Sequence, residues 1–268
     1  MRRYLLAPVC LVLLAVVTSG CSAFRALKAR DQLNKGVQSY RNAQFQEAIE
    51  HFKNAVQLDP GLINARLYLA TAYAQQYVPG GDSPENIKTG EQAIQAFEDV
   101  LKMDPKNTTA LASIGQIYYN MKNFDKAKEY QRRRIQYEPN NPEPYYWIGV
   151  IDWAQAFQAD GKIRKDLDLL MPDEHGNLKP LPEKYRVQLE AQNSKLVDEG
   201  IEALNKALEL KPNDFNSMAY MNLLYRQKAD IEKNPADRLA DLKTANDWQQ
   251  KAMELRQGAP SKSTSQGS

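Results

Sequence analysis

The chain has 268 residues, 43% of them hydrophobic and 25% charged, the composition of a folded protein with a sizeable core. Its formal net charge of +2 comes from Arg2 and Arg3; the rest of the chain balances 33 basic against 33 acidic residues. That neutrality excludes the basic face nucleic acid requires, and two histidines with no paired spacing exclude a dedicated zinc site, so no metal and no cofactor are expected.

In chain order, the first element is an address. Met1-Arg2-Arg3 supplies positive charge, and Leu5 to Val17 is an apolar run of thirteen residues. A bilayer span needs ~20 residues, so this length suits a signal peptide. The following Thr18-Ser19-Gly20-Cys21 resembles a bacterial lipobox, with Thr18 where an aliphatic residue is usual. The resemblance implies a signal peptide over residues 1–20 and acyl chains on Cys21. Each buried CH₂ would contribute ~0.8 kcal/mol to membrane anchoring. Ser22 after the cysteine, instead of Asp, implies the outer membrane and a protein facing the periplasm. Residues 21–29 would form a tether, reaching roughly 30 Å if fully extended. The alternative is cleavage near Ala23 and a soluble secreted protein.

Beyond the tether, similar phrases recur: AVQLDP ending at Pro60, VLKMDP at Pro105, RIQYEP at Pro139, ALELKP at Pro212, and the degenerate KAMELRQ ending at Gln257. The prolines are 45, 34 and 73 residues apart, a 34-residue period with insertions of 11 and 39. A fixed period of this size marks stacked helical hairpins. In the cleanest copy Gly36, Phe45, Ala48, Phe52, Ala55 and Pro60 combine small residues, needed where helices cross, with one apolar helical stripe. Gly115, Phe124, Ala127 and Pro139 repeat the pattern, as do Ala93, Phe97 and Pro105, and Gly149, Gly200, Leu204, Ala207 and Pro212. These positions resemble the tetratricopeptide repeat (TPR) family. The resemblance implies an all-α, right-handed superhelical solenoid of about five hairpins, with insertions in the second, fourth and fifth units. The expected units are 30–62, 63–107, 108–141, 142–214 and 215–257, followed by a disordered tail over 258–268.

Several local features are predicted. Arg41 to Gln44 is a turn, Ser83 caps a helix with Pro84 in its first turn, and Asn107 caps another. Arg134 stands where a small residue is expected and Gln131 where an aromatic is expected; Arg134 is expected to send its charge to the surface while its stem packs. The insertion spans about 158–197. Its second half runs into a helical pattern from Glu183 to Leu210 that extends the fourth unit's second helix, and Asp160 to Leu181 reads as a loop, which is either functional or merely tolerated. His175 sits in a surface turn lacking the carboxylate pattern of a calcium loop.

Repeats fill almost everything from residue 30 onward, leaving no room for a catalytic domain, so the chain is not expected to be an enzyme and no small-molecule substrate is expected. Resemblance to the family implies an inner face that includes Tyr40, Arg41, Asn64, Tyr119, Asn120, Tyr146, Val150, Trp153, Arg226 and Gln227. Tyr146, Val150 and Trp153 share one helical face by spacing, and either line the groove or pack against the insertion or the next unit. Leu33, Val37, Leu67 and Thr71 occupy the places of a chaperone-tail carboxylate clamp, so a chaperone C-terminus is not the expected ligand. The reading is an interaction scaffold of the bacterial envelope that binds a protein or peptide segment and serves outer-membrane, secretion or pilus assembly. The alternative is an accessory that localises peptidoglycan enzymes.

Overall fold

A computed structural model of the chain describes residues 6–172 and 177–258, with side chains from residue 22 to residue 257. The Cys21 side chain, His175 and the tail from residue 259 lie outside the described residues. Among those residues there are ten helices and no strand: α1 (Leu6–Arg41), α2 (Phe45–Leu58), α3 (Ile63–Ala74), α4 (Pro84–Met103), α5 (Thr108–Asn120), α6 (Phe124–Tyr137), α7 (Pro142–Asp166), α8 (Glu183–Leu210), α9 (Phe215–Ile231) and α10 (Pro235–Gly258). None is long and apolar enough to cross a membrane.

The four repeat prolines fix helix ends. Asp59, Asp104, Glu138 and Lys211 each close a helix at φ between −129° and −141°, each donating its N–H to the carbonyl four residues back. The proline that follows cannot donate and pushes its predecessor out of helical geometry. Helix starts are set by capping oxygens. Ser83, Asn107, Asn123, Asn141 and Asp214 each accept a backbone N–H of the first turn, which bears out the predicted roles of Ser83 and Asn107.

The chain forms two compact units, Met1–Met121 and Lys122–Ser268. In the first, α1 pairs with α2, α3 with α4, and α5 packs on α4. The α2 stripe Ala48, Ile49 and Phe52 is buried against Leu33, Val37, Tyr40, Leu69 and Tyr73. Burying Phe52 contributes about 1.5–3 kcal/mol. Gly36 is required for it, since a Cβ there would lie 2.5 Å from the Phe52 ring. Residues 22–28 continue α1 beyond this core, mostly exposed. The residues read as a tether from the sequence are helical over 22–28.

In the second unit α7 pairs with α8, α9 with α10, α6 packs on α7, and α7 also touches α9. A Cβ on Gly149 would lie 2.5 Å from Leu204, and one on Gly200 would lie 2.8 Å from Leu224. The 39-residue insertion extends existing elements. Asp160 to Asp166 is the end of α7 and not loop: Ile163 is buried, and Arg164 is fully buried with Nε 2.8 Å from Asp160 one turn back. Leu181, Leu189, Ile163 and Ile231 then form a small cluster of their own. Arg134 does not reach the surface. It is 4% exposed, donates to Gln131 Oε1 at 3.2 Å and to Glu143 Oε2 at 2.9 Å. The two departures from the repeat pattern contact each other inside the protein, and Glu143 and Glu138 supply the opposite charge.

Candidate partner-binding face

The face is built on α7 and α9. Asn141 caps α7 with Pro142 in the first turn. Asp214 caps α9, accepting from the Ser217 N–H at 3.1 Å and the Ser217 hydroxyl at 2.7 Å. Tyr146 and Trp153 of α7 and Tyr220 of α9 form a continuous aromatic ladder. Tyr220 meets Tyr146 edge-on with ring centroids 5.7 Å apart and meets Trp153 edge-on at 5.3 Å. Phe157 extends the ladder, stacked on Trp153 at 5.2 Å and 49% exposed. Such geometries are favourable beyond area burial by about 0.5–1.5 kcal/mol per pair.

The ladder has a concavity at each end. A cavity of about 250 Å³ lies at the first turn of α7, lined by Glu143, Tyr146, Trp147, Lys211, Asp214 and Asn216 among others. One of about 100 Å³ lies at the Phe157 end, against Leu178, Leu223, Arg226 and Leu242. A larger cavity of about 690 Å³ is lined chiefly by α8, with Tyr145, Tyr225 and Lys228. Several of its charges are paired internally: Glu199 with Lys128 and Arg132, Lys206 with Glu209, and Lys228 with Asp241.

The residues expected on the inner face divide sharply. Tyr146 and Trp153 are half-buried and pack on the cluster of Leu204, Leu208, Met221 and Leu224, so each is both face and core. Val150 is 2% exposed and Gln227 4%, so neither is available at the surface. Val150 lies one turn from Tyr146 but packs inward, as an apolar side chain at a helix crossing must. Arg226 is on the face, donating to Asn222 at 2.9 Å, Asn177 at 2.6 Å and Asn246 at 2.8 Å. In the first unit Arg41 and Asn64 are exposed, and Tyr40 is half-buried, edge-on to Phe45 at 5.4 Å. Tyr119 and Asn120 close α5, where Gln116 donates to Asn120 at 3.2 Å. Sequence reasoning missed Phe157 and Tyr220. Phe157 was detectable, eleven residues after Tyr146 and so on the same helical face; Tyr220 was not, because only tertiary packing brings it between Tyr146 and Trp153.

Two carboxylates in this unit sit away from water. Asp152 is fully buried with Lys128 Nζ at 2.6 Å, and Asp230 is 3.0 Å from Arg164 Nη2. Burial outweighs those cations and pushes both carboxyls up to about 7. Asp152 lies away from the aromatic ladder, whereas Asp230 lines the cavity at its Phe157 end.

Residues 88–147 match the tetratricopeptide repeat family profile. An Hsp70-Hsp90 organizing protein of Triticum aestivum is 30% identical over 115 residues, covering 43% of this chain and 18% of that protein. Hsp70-Hsp90 organizing protein 3 of Arabidopsis thaliana is 27% identical over 43% of this chain and 19% of its own. The chain thus spans less than a fifth of these curated relatives. Among solved structures, MamA from Desulfovibrio magneticus RS-1 is similar with a TM-score of 0.57 at 18% identity, over 87% of this chain and 98% of that one. YrrB, described as a TPR protein with an unusual peptide-binding site, is similar with a TM-score of 0.51 at 15% identity, over 84% and 90%. The chain carries a tetratricopeptide-repeat match over residues 88–147 and has the fold of solved tetratricopeptide-repeat proteins over more than four-fifths of its length.

Proposed function

We propose that this chain is a non-catalytic adaptor that captures a segment of another protein on the α7–α9 face, working as a lipoprotein of the bacterial envelope. The observation that carries the reading is the half-exposed ladder Tyr146–Tyr220–Trp153–Phe157 with a concavity at each end. Rigid aromatics beside polar side chains are the anchors that protein segments use. The peptide-binding site named for YrrB, which shares the fold, supports a peptide as the occupant here. The basic start, the short apolar run and Thr18-Ser19-Gly20-Cys21 support lipid anchoring at Cys21, and Ser22 supports the outer membrane. An adaptor held at that membrane suits assembly of outer-membrane, secretion or pilus complexes.

The test is capture from detergent-solubilised envelopes by the full chain and by Trp147→Ala/Phe157→Ala. Neither ring belongs to the core cluster behind the ladder, so the variant is expected to keep its helicity while losing at least ten-fold in capture. Equal capture by both proteins refutes the face. Recovery of peptidoglycan enzymes in place of pore or barrel subunits would favour the accessory role.

A further inference from the structure

One end of the face is already covered, and by the protein itself. Residues 177–182 carry no helix and run between α7 and α8. Three arginines from three helices hold this segment. Arg226 of α9 donates to Asn177 Oδ1 at 2.6 Å, Arg238 of α10 to the Leu178 carbonyl at 3.0 Å, and Arg164 of α7 to the Lys179 carbonyl at 2.7 Å. Two of the guanidiniums, Arg164 and Arg226, are held closely from behind, and Arg238 only loosely. Asp160 takes Arg164 Nε at 2.8 and 2.9 Å, Asp230 stands 3.0 Å from Arg164 and 4.0 Å from Arg238, and Asn222 and Asn246 hold Arg226. Donors held by neighbouring side chains cost less to order around a peptide main chain.

The segment's own chemistry is that of a captured peptide. Two of these three arginine contacts use main-chain carbonyls, which any sequence can present. Leu178 sits beside Trp153, Phe157, Leu223 and Leu242 without filling the space, since a cavity of about 100 Å³ remains. Pro180 and Pro182 have no N–H to commit to a helix or sheet. Leu181, 7% exposed, seats the C-terminal end of the segment in the adjoining cluster.

We propose that residues 177–181 are a ligand held in cis, and that the subsite they fill accepts a non-helical segment of a partner carrying an amide side chain followed by a large apolar one. The inference rests on the α7–α9 face being the binding face. Partner entry along the full ladder then requires the cis segment to leave. A tethered competitor acts at an effective concentration on the order of mM, so the resting protein is a weak receptor and release of the segment makes it a strong one.

The experiment titrates a fluorescein-labelled peptide of residues 177–183, Asn-Leu-Lys-Pro-Leu-Pro-Glu, against the full chain by fluorescence anisotropy. The variant Asn177→Gly/Leu178→Ser, which weakens the cis contacts, is expected to bind it at least ten-fold more tightly than wild type, and added Arg226→Ala to abolish the gain. Equal binding by wild type and variant, or binding by neither, overturns the proposal. Should the variant lose helicity, hydrogen exchange on wild type replaces it. Excess unlabelled peptide must then speed exchange at residues 177–181 but not in α8, and no change overturns the idea equally. Envelope capture separates the two readings. Capture by wild type with no gain in the variant sinks the cis ligand alone. Binding of the labelled peptide with no envelope protein captured by either chain sinks the partner reading alone.

Discussion

Gly149 and Gly161 lie twelve residues apart in α7 and answer substitution in opposite ways. A methyl on Gly149 would meet Leu204 at 2.5 Å, whereas one on Gly161 meets nothing within 4 Å. Gly149→Ala is expected to destabilise by about 1–3 kcal/mol through overpacking. Gly161→Ala is expected to stabilise by about 0.5–1 kcal/mol through helix propensity. Urea denaturation of the two variants checks both signs. Asp152 and Asp230 make stability depend on pH. Both carboxyls are pushed up to about 7 in the folded protein, against ~3.9 in an unfolded chain. The folded state therefore binds protons more readily, and the stability this contributes is full below about pH 4 and lost as pH rises through about 7. The melting temperature is expected to fall between about pH 5 and about pH 8, and Asp152→Asn with Asp230→Asn to flatten that slope. The small residues at the crossings were legible because a repeating period forces them. The pairing of Arg134 with Gln131 and Glu143 was not, since it depends on which polar groups a fold brings together.

Helices in this chain are delimited by chemistry confined to one or two residues, which is why their ends could be read. Ser83→Ala removes a cap that accepts the Asn86 N–H at 3.2 Å and is expected to cost about 1 kcal/mol, measurable by thermal melting. The rings on α7 behave differently along its length. Trp153 packs on the Leu204–Leu224 cluster while Phe157 stacks outside it. Trp153→Ala is expected to destabilise by about 1–3 kcal/mol, below the full core value because the ring is half-buried. Phe157→Ala should change stability by less than about 1 kcal/mol while weakening capture, so denaturation and binding measured together separate support from recognition. The one element sequence misjudged, Asp160 to Asp166, is helical for a tertiary reason. Arg164 is stabilised inside by Asp160 and Asp230, and the second of these lies sixty-six residues away. Residues 177–182 have no period at all, so nothing in their sequence announced where they would lie.

At the scale of the whole molecule, periodicity made the repeated fold legible from sequence, and the non-periodic parts carry what is particular to this protein. The anchor proposal has a direct check: Cys21→Ser is expected to move the protein from the membrane to the soluble periplasmic fraction, and unchanged membrane retention refutes it. The helical course of residues 22–28 alters what such an anchor would do. An extended tether is a slack cord, indifferent to its own length. A helix continuous into the first hairpin has a rotational phase, since each residue turns it by about 100° and advances it about 1.5 Å. One alanine inserted after Phe24 would swing the first hairpin by about 100° around the α1 axis, while seven would restore its azimuth to within about 20°. If the protein works at a fixed bearing to the lipid surface, assembly yield will follow that angle and not the number of residues added.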